Sequence, residues 1–187
     1  MKFTWLGHAS IRLAIGGEVL LVDPWTEGNP LFPADRRGEM IAGTTAILIT
    51  HGHFDHTAGV PALARELGVP IYGIADLMGH WASKEQGIET VGFNKGGTVR
   101  IGEVAVTKVA ARHSSSIETE DGLIYSGAEA GYMIAGEGRT AYVSGDTDVM
   151  ADMARLEEMH APGLGILCAG GPCPTDMARA AAAAPTS

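Results

Sequence analysis

The sequence predicts an α+β protein in which two β-sheets lie between layers of helices. Three observations indicate this class: strand-like segments in both halves of the chain, a few helical segments between them, and glycines at many segment ends. The length of 187 residues suits a single domain, residues 1–187, with a buried core. The glycines interleave with apolar segments, so they indicate tight turns rather than disorder.

The first half of the chain opens on short strands. Gly16-Gly17, between the second and third strands, is a hairpin signal. The continuous apolar run 46–50 is typical of a strand covered on both faces. Apolar residues then recur with helical spacing over 60–67, and Gly68 ends this helix. The predicted elements are strands 2–6, 10–15, 18–23, 46–50 and 69–72, with helices over 60–67 and from an Asp76 cap to about Gln86.

The second half is dominated by β-structure, in short runs broken by glycine between residues 89 and 144. A helix and a buried strand follow these runs, and the alanine-rich tail suits only a marginal helix. The predicted elements are strands 103–109, 139–144 and 163–168, a helix from an Asp148 cap to Met159, and a tail helix capped by Thr175 or Asp176.

Charge and hydropathy set limits on the partners of the protein. The formal net charge is −9 and only 13 Lys and Arg are present, so general nucleic-acid binding is not expected. No apolar run approaches the roughly 20 residues that span a bilayer, so no membrane association is expected either. A small-molecule substrate is the expected partner, and self-association into a homo-oligomer stays open.

The N-terminus and the cysteines indicate the compartment. Residues 1–5 enter strand-like alternation at once, without the apolar stretch and cleavage site of a secretory signal. Cys168 and Cys173 lie close together near the C-terminus, which suits reduced thiols better than a disulfide framework. We therefore expect a cytoplasmic protein.

The strongest chemical signal is the segment His51-Gly52-His53-Phe54-Asp55-His56, where a buried strand ends and a helix begins. Three imidazoles and one carboxylate within six residues are ligands that a divalent metal accepts. Gly52 is expected to let the backbone bend so that both neighbouring histidines face one point. Without a cation, these polar groups would all need other partners. A surface turn that happens to be rich in histidine is the alternative, and it explains the pattern poorly.

This segment resembles the HxHxDH signature of the metallo-β-lactamase superfamily. Within that superfamily, the chain is similar to the bacterial and archaeal family of uncharacterised metal-dependent hydrolases related to the L-ascorbate-6-phosphate lactonases. The resemblance implies a four-layer αββα sandwich. It runs in order to about residue 171 through Trp5-Leu6-Gly7-His8-Ala9, Asp23-Pro24-Trp25, Gly28-Asn29-Pro30, Asn94-Lys95-Gly96-Gly97-Thr98, His113-Ser114-Ser115-Ser116 and Gly145-Asp146-Thr147.

The resemblance also implies a ligand set for one or two divalent metal ions per chain, Zn²⁺ or Mn²⁺. The positions of His113 and Asp146 at strand ends agree with it, because sites are commonly built there. An isolated His or Asp in such a place is as often structural. The implied ligands are His51, His53 and His113 for one metal and Asp55 and His56 for the other, with Asp146 bridging the two.

Several other polar residues have roles that the sequence leaves open. His8 lies in a turn that the family places near the metals, where it supports the metal ligands, contacts the substrate or is a hydrogen-bonded structural residue. Asp23 is expected to support the segment of residues 51–56, here called the metal loop, through hydrogen bonds. The serines at 114–116 either contact a substrate or satisfy a buried loop. His80 and His160 are expected to be structural or solvated.

The resemblance fails after about residue 171. The family continues with a motif similar to Gly-Gly-His-Phe-Thr-Met and later with a strand ending in Pro-x-His, whose histidine completes the second metal site. Here none of the 7 histidines lies beyond residue 160. Three explanations stay open: a divergent or truncated chain with an incomplete C-terminal layer, a depleted second site, or Cys173 as a substitute ligand, which suits zinc better than manganese.

The sequence therefore predicts a metal-dependent hydrolase that uses a metal-activated water on a lactone or ester. Asp55 is expected to orient that water, and either His8 or a metal-bound water is expected to protonate the leaving group. A phosphodiesterase of the same fold is one alternative. A catalytically impaired metal-binding remnant, lacking the last histidine ligand, is the other.

Overall fold

The computed structural model describes residues 1–170 and 175–183. Strands occur in both halves of the chain, as predicted. They are β1 (Lys2–Trp5), β2 (Ile11–Ile15), β3 (Glu18–Val22), β4 (Ala46–Leu48), β5 (Ile71–Gly73), β6 (Thr90–Gly92), β7 (Thr98–Ile101), β8 (Val104–Ala110), β9 (Ser116–Thr119), β10 (Gly122–Tyr125), β11 (Ala130–Gly136), β12 (Arg139–Val143) and β13 (Leu164–Ile166). A short 3-10 turn at Ala34–Arg36 precedes the helices, which are α1 (Arg37–Ile41), α2 (Phe54–Thr57), α3 (Val60–Leu67), α4 (Ala75–Lys84), α5 (Asp152–His160) and α6 (Met177–Ala183).

Two sheets form the centre of the fold. The first has the strand order β1-β2-β3-β4-β5-β6, and the second has the order β13-β12-β11-β8-β7. The first sheet starts with antiparallel strands and continues as parallel strands from β3 to β6. The hairpin β9–β10 belongs to neither sheet and pairs Ser116 with Tyr125 at its base.

Three apolar clusters show how the layers pack. Leu63 of α3 lies with Ile47 of β4 in a cluster between helices and the first sheet. Leu48 of the same strand faces the other way, into a cluster shared by β2, β3 and β4 with β8, β11 and β12. Leu156 of α5 packs against Tyr142 on the outer face of the second sheet. The layers are helix, sheet, sheet and helix, which confirms the predicted αββα sandwich.

Glycines end two elements where the sequence predicts it. Gly16 and Gly17 have φ angles of 58° and 86°, and they join β2 to its antiparallel neighbour β3. Gly68 has a φ of 65° and ends α3, where its N–H donates to the carbonyl of Ala64. Such left-handed φ values cost glycine little, because it has no Cβ.

Two predicted helix caps are wrong. α4 begins at Ala75 after Ile74, so Asp76 lies inside the first turn. α5 begins only at Asp152, and Asp148 lies in the preceding loop, where its carboxylate accepts the N–H of Val149 at 2.8 Å. A capping residue type near a helix start locates that start only to within about a turn.

The described part of the tail contains the predicted short helix. Oδ1 of Asp176 accepts the N–H of Arg179 at 2.9 Å, which is the bond of an N-terminal cap to α6. Cys173, the alternative metal ligand, lies outside the described residues. Over the described ranges, no helix has the length and apolar character needed to cross a membrane.

Candidate metal centre

The sequence-predicted ligands converge between the two sheets. Residues 51–56 follow β4 of the first sheet, whereas His113 follows β8 and Asp146 follows β12 of the second. His8 joins them from the turn between β1 and β2. The two remaining histidines, His80 and His160, belong to no ligand group in the described part of the chain.

Three histidines form the first group of ligand atoms. His51, His53 and His113 each place one ring nitrogen within 4.8 Å of the others. Nε2 of His51 lies 3.0 Å from Nδ1 of His53, and the His113 ring centroid lies 5.1 Å and 5.0 Å from the His51 and His53 centroids. Burial, and then repulsion from His56, lower the pKa of His51 to about 2. A neutral imidazole keeps a lone pair available for a metal.

Asp146 connects this group to the rest of the centre. Its Oδ2 lies 3.8 Å from Nε2 of His113 and 3.7 Å from Nε2 of His56. Burial raises the pKa of the Asp146 carboxyl, but interaction with His56 outweighs burial and lowers the pKa to about 2. One ionised carboxylate therefore reaches both sets of histidines.

A buried hydrogen-bond network holds the metal loop in place. Oδ1 of Asp23 accepts the N–H of Thr50 at 2.8 Å, and Oδ2 accepts the Thr50 hydroxyl at 2.6 Å. The same Oδ2 lies 2.9 Å from Nδ1 of His56, which orients the ring. The predicted buttressing role of Asp23 is confirmed. The role of Thr50 was not predicted from the sequence. Its position directly before the first histidine of the signature is a signal that could have indicated a hydrogen bond to the loop.

His56 shows that the donor set fits a divalent metal. The side chain is fully buried, and its Nε2 has no hydrogen-bond partner among the described residues. Burial lowers the pKa of His56, but the carboxylates of Asp23 and Asp146 outweigh burial and raise the pKa to about 10. The surroundings of this nitrogen therefore favour a cation. Imidazole and carboxylate donors together suit a divalent metal such as zinc.

His8 and Asp55 form the more open side of the centre. Nε2 of His8 lies 3.3 Å from Oδ2 of Asp55, and the two side chains are 38% and 26% exposed. The same Oδ2 lies 4.0 Å from Nε2 of His56. His8, Asp55 and His56 thus form a further group of ligand atoms within 4.8 Å of one another.

Two serines fasten the metal loop to the base of the β9–β10 hairpin. The N–H of Gly52 donates to Oγ of Ser115 at 3.1 Å, and Ser115 shares a hydrogen bond of 2.9 Å with Ser126. A Cβ on Gly52 would lie 2.1 Å from Oγ of Ser126. Gly52 has no left-handed φ, so it is needed for space rather than for a backbone bend. Ser114 lies farther out, with its Oγ 3.4 Å from Nε2 of His53.

A cavity of about 610 Å³ opens beside the exposed side of the centre. His8, Asp55 and Asp146 line the cavity, together with apolar side chains that include Ile166 and Leu167. None of its described lining residues is a lysine or an arginine. The volume is that of a small-molecule site.

Known proteins are similar to this chain over nearly its whole length. A family model described as a beta-lactamase superfamily domain matches residues 19–179. A UPF0173 metal-dependent hydrolase of Dinoroseobacter shibae is 63% identical over 186 residues, which cover 100% of this chain and 80% of the relative. A UPF0173 metal-dependent hydrolase of Cereibacter sphaeroides is 60% identical over 184 residues, which cover 98% of this chain and 80% of that relative.

A solved structure shares the fold. A metallo hydrolase from the hyperthermophilic archaeon Ignicoccus hospitalis superposes with a TM-score of 0.81 at 26% identity, covering 97% of this chain and 76% of that chain. The family match, the relatives and the fold agree with the histidine and aspartate groups that the structure brings together. The chain therefore belongs to the metallo-β-lactamase superfamily and, within it, to the UPF0173 family of metal-dependent hydrolases.

Proposed function

We propose that this hydrolase holds one or two divalent metal ions, Zn²⁺ or Mn²⁺, and cleaves a lactone or an ester. The observation that carries the proposal is the convergence of imidazole and carboxylate groups from both sheets beside an open cavity. Nε2 of His56, which has no hydrogen-bond partner among the described residues, lies at the centre of that convergence and is the strongest single sign of a cation site.

The ligand groups divide into two sets. In the first set the imidazole of His51 is buried and neutral, and the ionised carboxylate of Asp146 reaches both sets. His51, His53 and His113 would hold the first metal, Asp55 and His56 would hold the second, and Asp146 lies between the two sets of side chains.

The residues of the chain position the reactants. When bound, divalent metal ions acidify a water molecule and polarise the carbonyl of the substrate. Asp55, whose side chain is 26% exposed beside the cavity, orients the water by accepting a hydrogen bond from it. Asp23 holds His56 from the buried side, so the ring cannot turn away during the reaction.

The cavity supports an uncharged carbonyl substrate over a phosphodiester. Its lining combines apolar side chains, among them Trp5 and Leu167, with the carboxylates of Asp55 and Asp146. A phosphodiester would bring a further negative charge toward these carboxylates. The described lining residues offer it no guanidinium or ammonium group, the groups that usually pair with phosphate.

Hydrolysis assays on reconstituted protein test this function. Protein stripped of metal and reloaded with Zn²⁺ or Mn²⁺ should cleave p-nitrophenyl butyrate and γ-butyrolactone with higher kcat/KM than bis(p-nitrophenyl) phosphate. His51→Asn should lower both the metal affinity and kcat/KM by about 10–100-fold or more, whereas His160→Asn should match the wild type. Faster cleavage of the phosphodiester would favour the alternative activity. A metal-loaded protein inactive on the ester and the lactone would contradict the proposal.

A further inference from the structure

We propose that His8 is a protein ligand of the second metal, beside Asp55 and His56. The inference rests on the proposed assignment of those two residues as ligands. The sequence alone leaves His8 as a structural residue, a support for the metal ligands, a substrate contact or a proton donor, because it lies 47 and 48 positions before the other two in the chain. The structure brings all three together.

The three ligand atoms have the spacing of one coordination sphere. Nε2 of His8 lies 3.3 Å from Oδ2 of Asp55, and Nε2 of His56 lies 4.0 Å from the same oxygen. Two donors bound tetrahedrally to zinc at about 2.0–2.1 Å lie roughly 3.3 Å apart. Small side-chain movements are therefore enough to close the group around an ion.

His56 supplies an independent sign of a ligand at this point. Its Nδ1 contacts Asp23 at 2.9 Å, so its Nε2 faces the centre. That nitrogen is buried and has no hydrogen-bond partner in the described part of the chain. A cation among His8, Asp55 and His56 gives the nitrogen the partner that it lacks. Oδ2 of Asp146, 3.7 Å from the same nitrogen, adds a fourth donor.

The backbone around His8 is arranged to present the imidazole. His8 has a φ of 51°, a left-handed value that costs a non-glycine residue energy and is found at functional sites. A Cβ on Gly7 would lie 2.6 Å from the carbonyl carbon of Leu31, so the turn packs closely against that loop. Nε1 of Trp5 donates to the His8 carbonyl at 2.7 Å. The Trp25 ring meets the imidazole edge-on, with centroids 5.5 Å apart.

A ligand role for His8 changes its part in the reaction. An imidazole nitrogen that binds a metal carries no proton on that atom, so it cannot protonate a leaving group from there. A ligand role for His8 also adds a histidine, from the first turn of the chain, to the second metal site. The second metal is then held by two imidazoles and two carboxylates: His8, His56, Asp55 and Asp146.

Metal titration of His8→Asn tests the inference without any measurement of hydrolysis. Asparagine tolerates the left-handed φ at this position, so the turn is kept. Metal-stripped wild type should bind two equivalents of Co²⁺ by visible absorption and two of Zn²⁺ by calorimetry. His8→Asn should keep one tight equivalent and bind the second more than about 10–100-fold more weakly. His80→Asn, on α4 and outside every ligand group, is the matched control and should behave as wild type.

A second variant distinguishes ligation from an indirect effect. His8→Cys loaded with Co²⁺ should show a thiolate-to-cobalt charge-transfer band that the wild type lacks. Cobalt binding by this variant without the band would place residue 8 outside the coordination sphere and overturn the inference. Two wild-type-like equivalents in His8→Asn would also overturn it, as would a wild type that binds one equivalent only. A wild type that binds no metal would instead contradict the proposed function.

Discussion

Asp23 and Lys108 are both buried and both carry an ionisable group, yet their surroundings differ. Asp23 contacts the amide and hydroxyl of Thr50 and the ring of His56. Lys108 is fully buried on β8, and its Nζ has no hydrogen-bond partner among the described residues. Two aromatic rings lie close to the ammonium group: Nζ is 4.2 Å from the Phe93 centroid and 5.6 Å from the Tyr132 centroid. The buried carboxylate of Asp23 thus has hydrogen-bond partners on both oxygens, whereas the buried ammonium of Lys108 has none among the described residues.

Asp23→Ala removes the buried carboxylate that has hydrogen-bond partners, and it should have the largest effect on stability. It leaves the buried Thr50 amide and the Nδ1 of His56 without their acceptor. We expect the free energy of unfolding to fall by about 3–5 kcal/mol, measured by urea denaturation. Metal affinity should fall by about 10–100-fold in the same variant, because His56 loses its orienting contact. Asp35→Ala, which removes an exposed carboxylate, is the control; equal effects in the two variants would show that the network is unimportant.

Lys108→Met should act in the opposite direction. Methionine has a similar length and fits the aromatic surroundings, but it brings no charge into the space between the sheets. We expect the variant to be more stable than the wild type by about 1–4 kcal/mol near pH 7 in urea denaturation. Lys84→Met, at the exposed end of α4, should change stability little. A destabilised Lys108→Met would mean that the contact of the ammonium with the aromatic rings outweighs its desolvation.

The stability gain of Lys108→Met should also depend on pH. Burial, and then repulsion from Lys95, lower the pKa of Lys108 to about 7 from its ordinary 10.5. Between these two values the unfolded chain binds a proton that the folded chain does not, so wild-type stability contributed by this group rises with pH. The advantage of Lys108→Met should therefore be largest below pH 7 and shrink toward pH 10. Denaturation of both proteins at pH 6, 8 and 9.5 measures the trend, and a constant difference would contradict the shifted pKa.

Tyr132→Phe should have the smallest effect on stability of the three variants. The Tyr132 ring lies beside Lys108, but its hydroxyl does have a partner, since it donates to the carbonyl of Ile49. Removing the hydroxyl costs one buried hydrogen bond and keeps the ring, so we expect a loss of about 1 kcal/mol in urea denaturation. A loss as large as that of Asp23→Ala would mean that the two regions are more alike than their contacts indicate.

The sequence predicts those parts of the site whose residues are close together in the chain. Four candidate ligands lie within residues 51–56, so one motif brings them together whatever the rest of the chain does. His113 and Asp146 follow strands whose patterns are readable. The contact of Asp23 with His56 spans 33 positions, and no spacing rule predicts it. The approach of His8 to Asp55 likewise depends on how β1 and β2 pair and on where the loop around Leu31 lies.

The secondary structure is likewise predicted best where it depends on residues that are neighbours in the chain. Strand alternation and glycine stops predict most elements, because each depends on neighbours in the chain. The caps at Asp76 and Asp148 are wrong because acidic residues near a helix start also serve in its first turn or in the loop before it. Lys108 carries a readable signal: Val104 and Val106 face inward on β8, and two positions on, the lysine must face the same way.

The β9–β10 hairpin offers a site for variation and for engineering. Its base is fastened beside Gly52 by Ser115 and Ser126, while its tip is exposed and pairs with neither sheet. Insertions at the tip are expected to leave the register of both sheets unchanged, so the hairpin can change in length without displacing the candidate metal ligands. A fluorophore attached there would be joined through two hydroxyl groups to the loop that carries His51 and His53. It would report on that loop from outside the cavity beside the candidate metal centre.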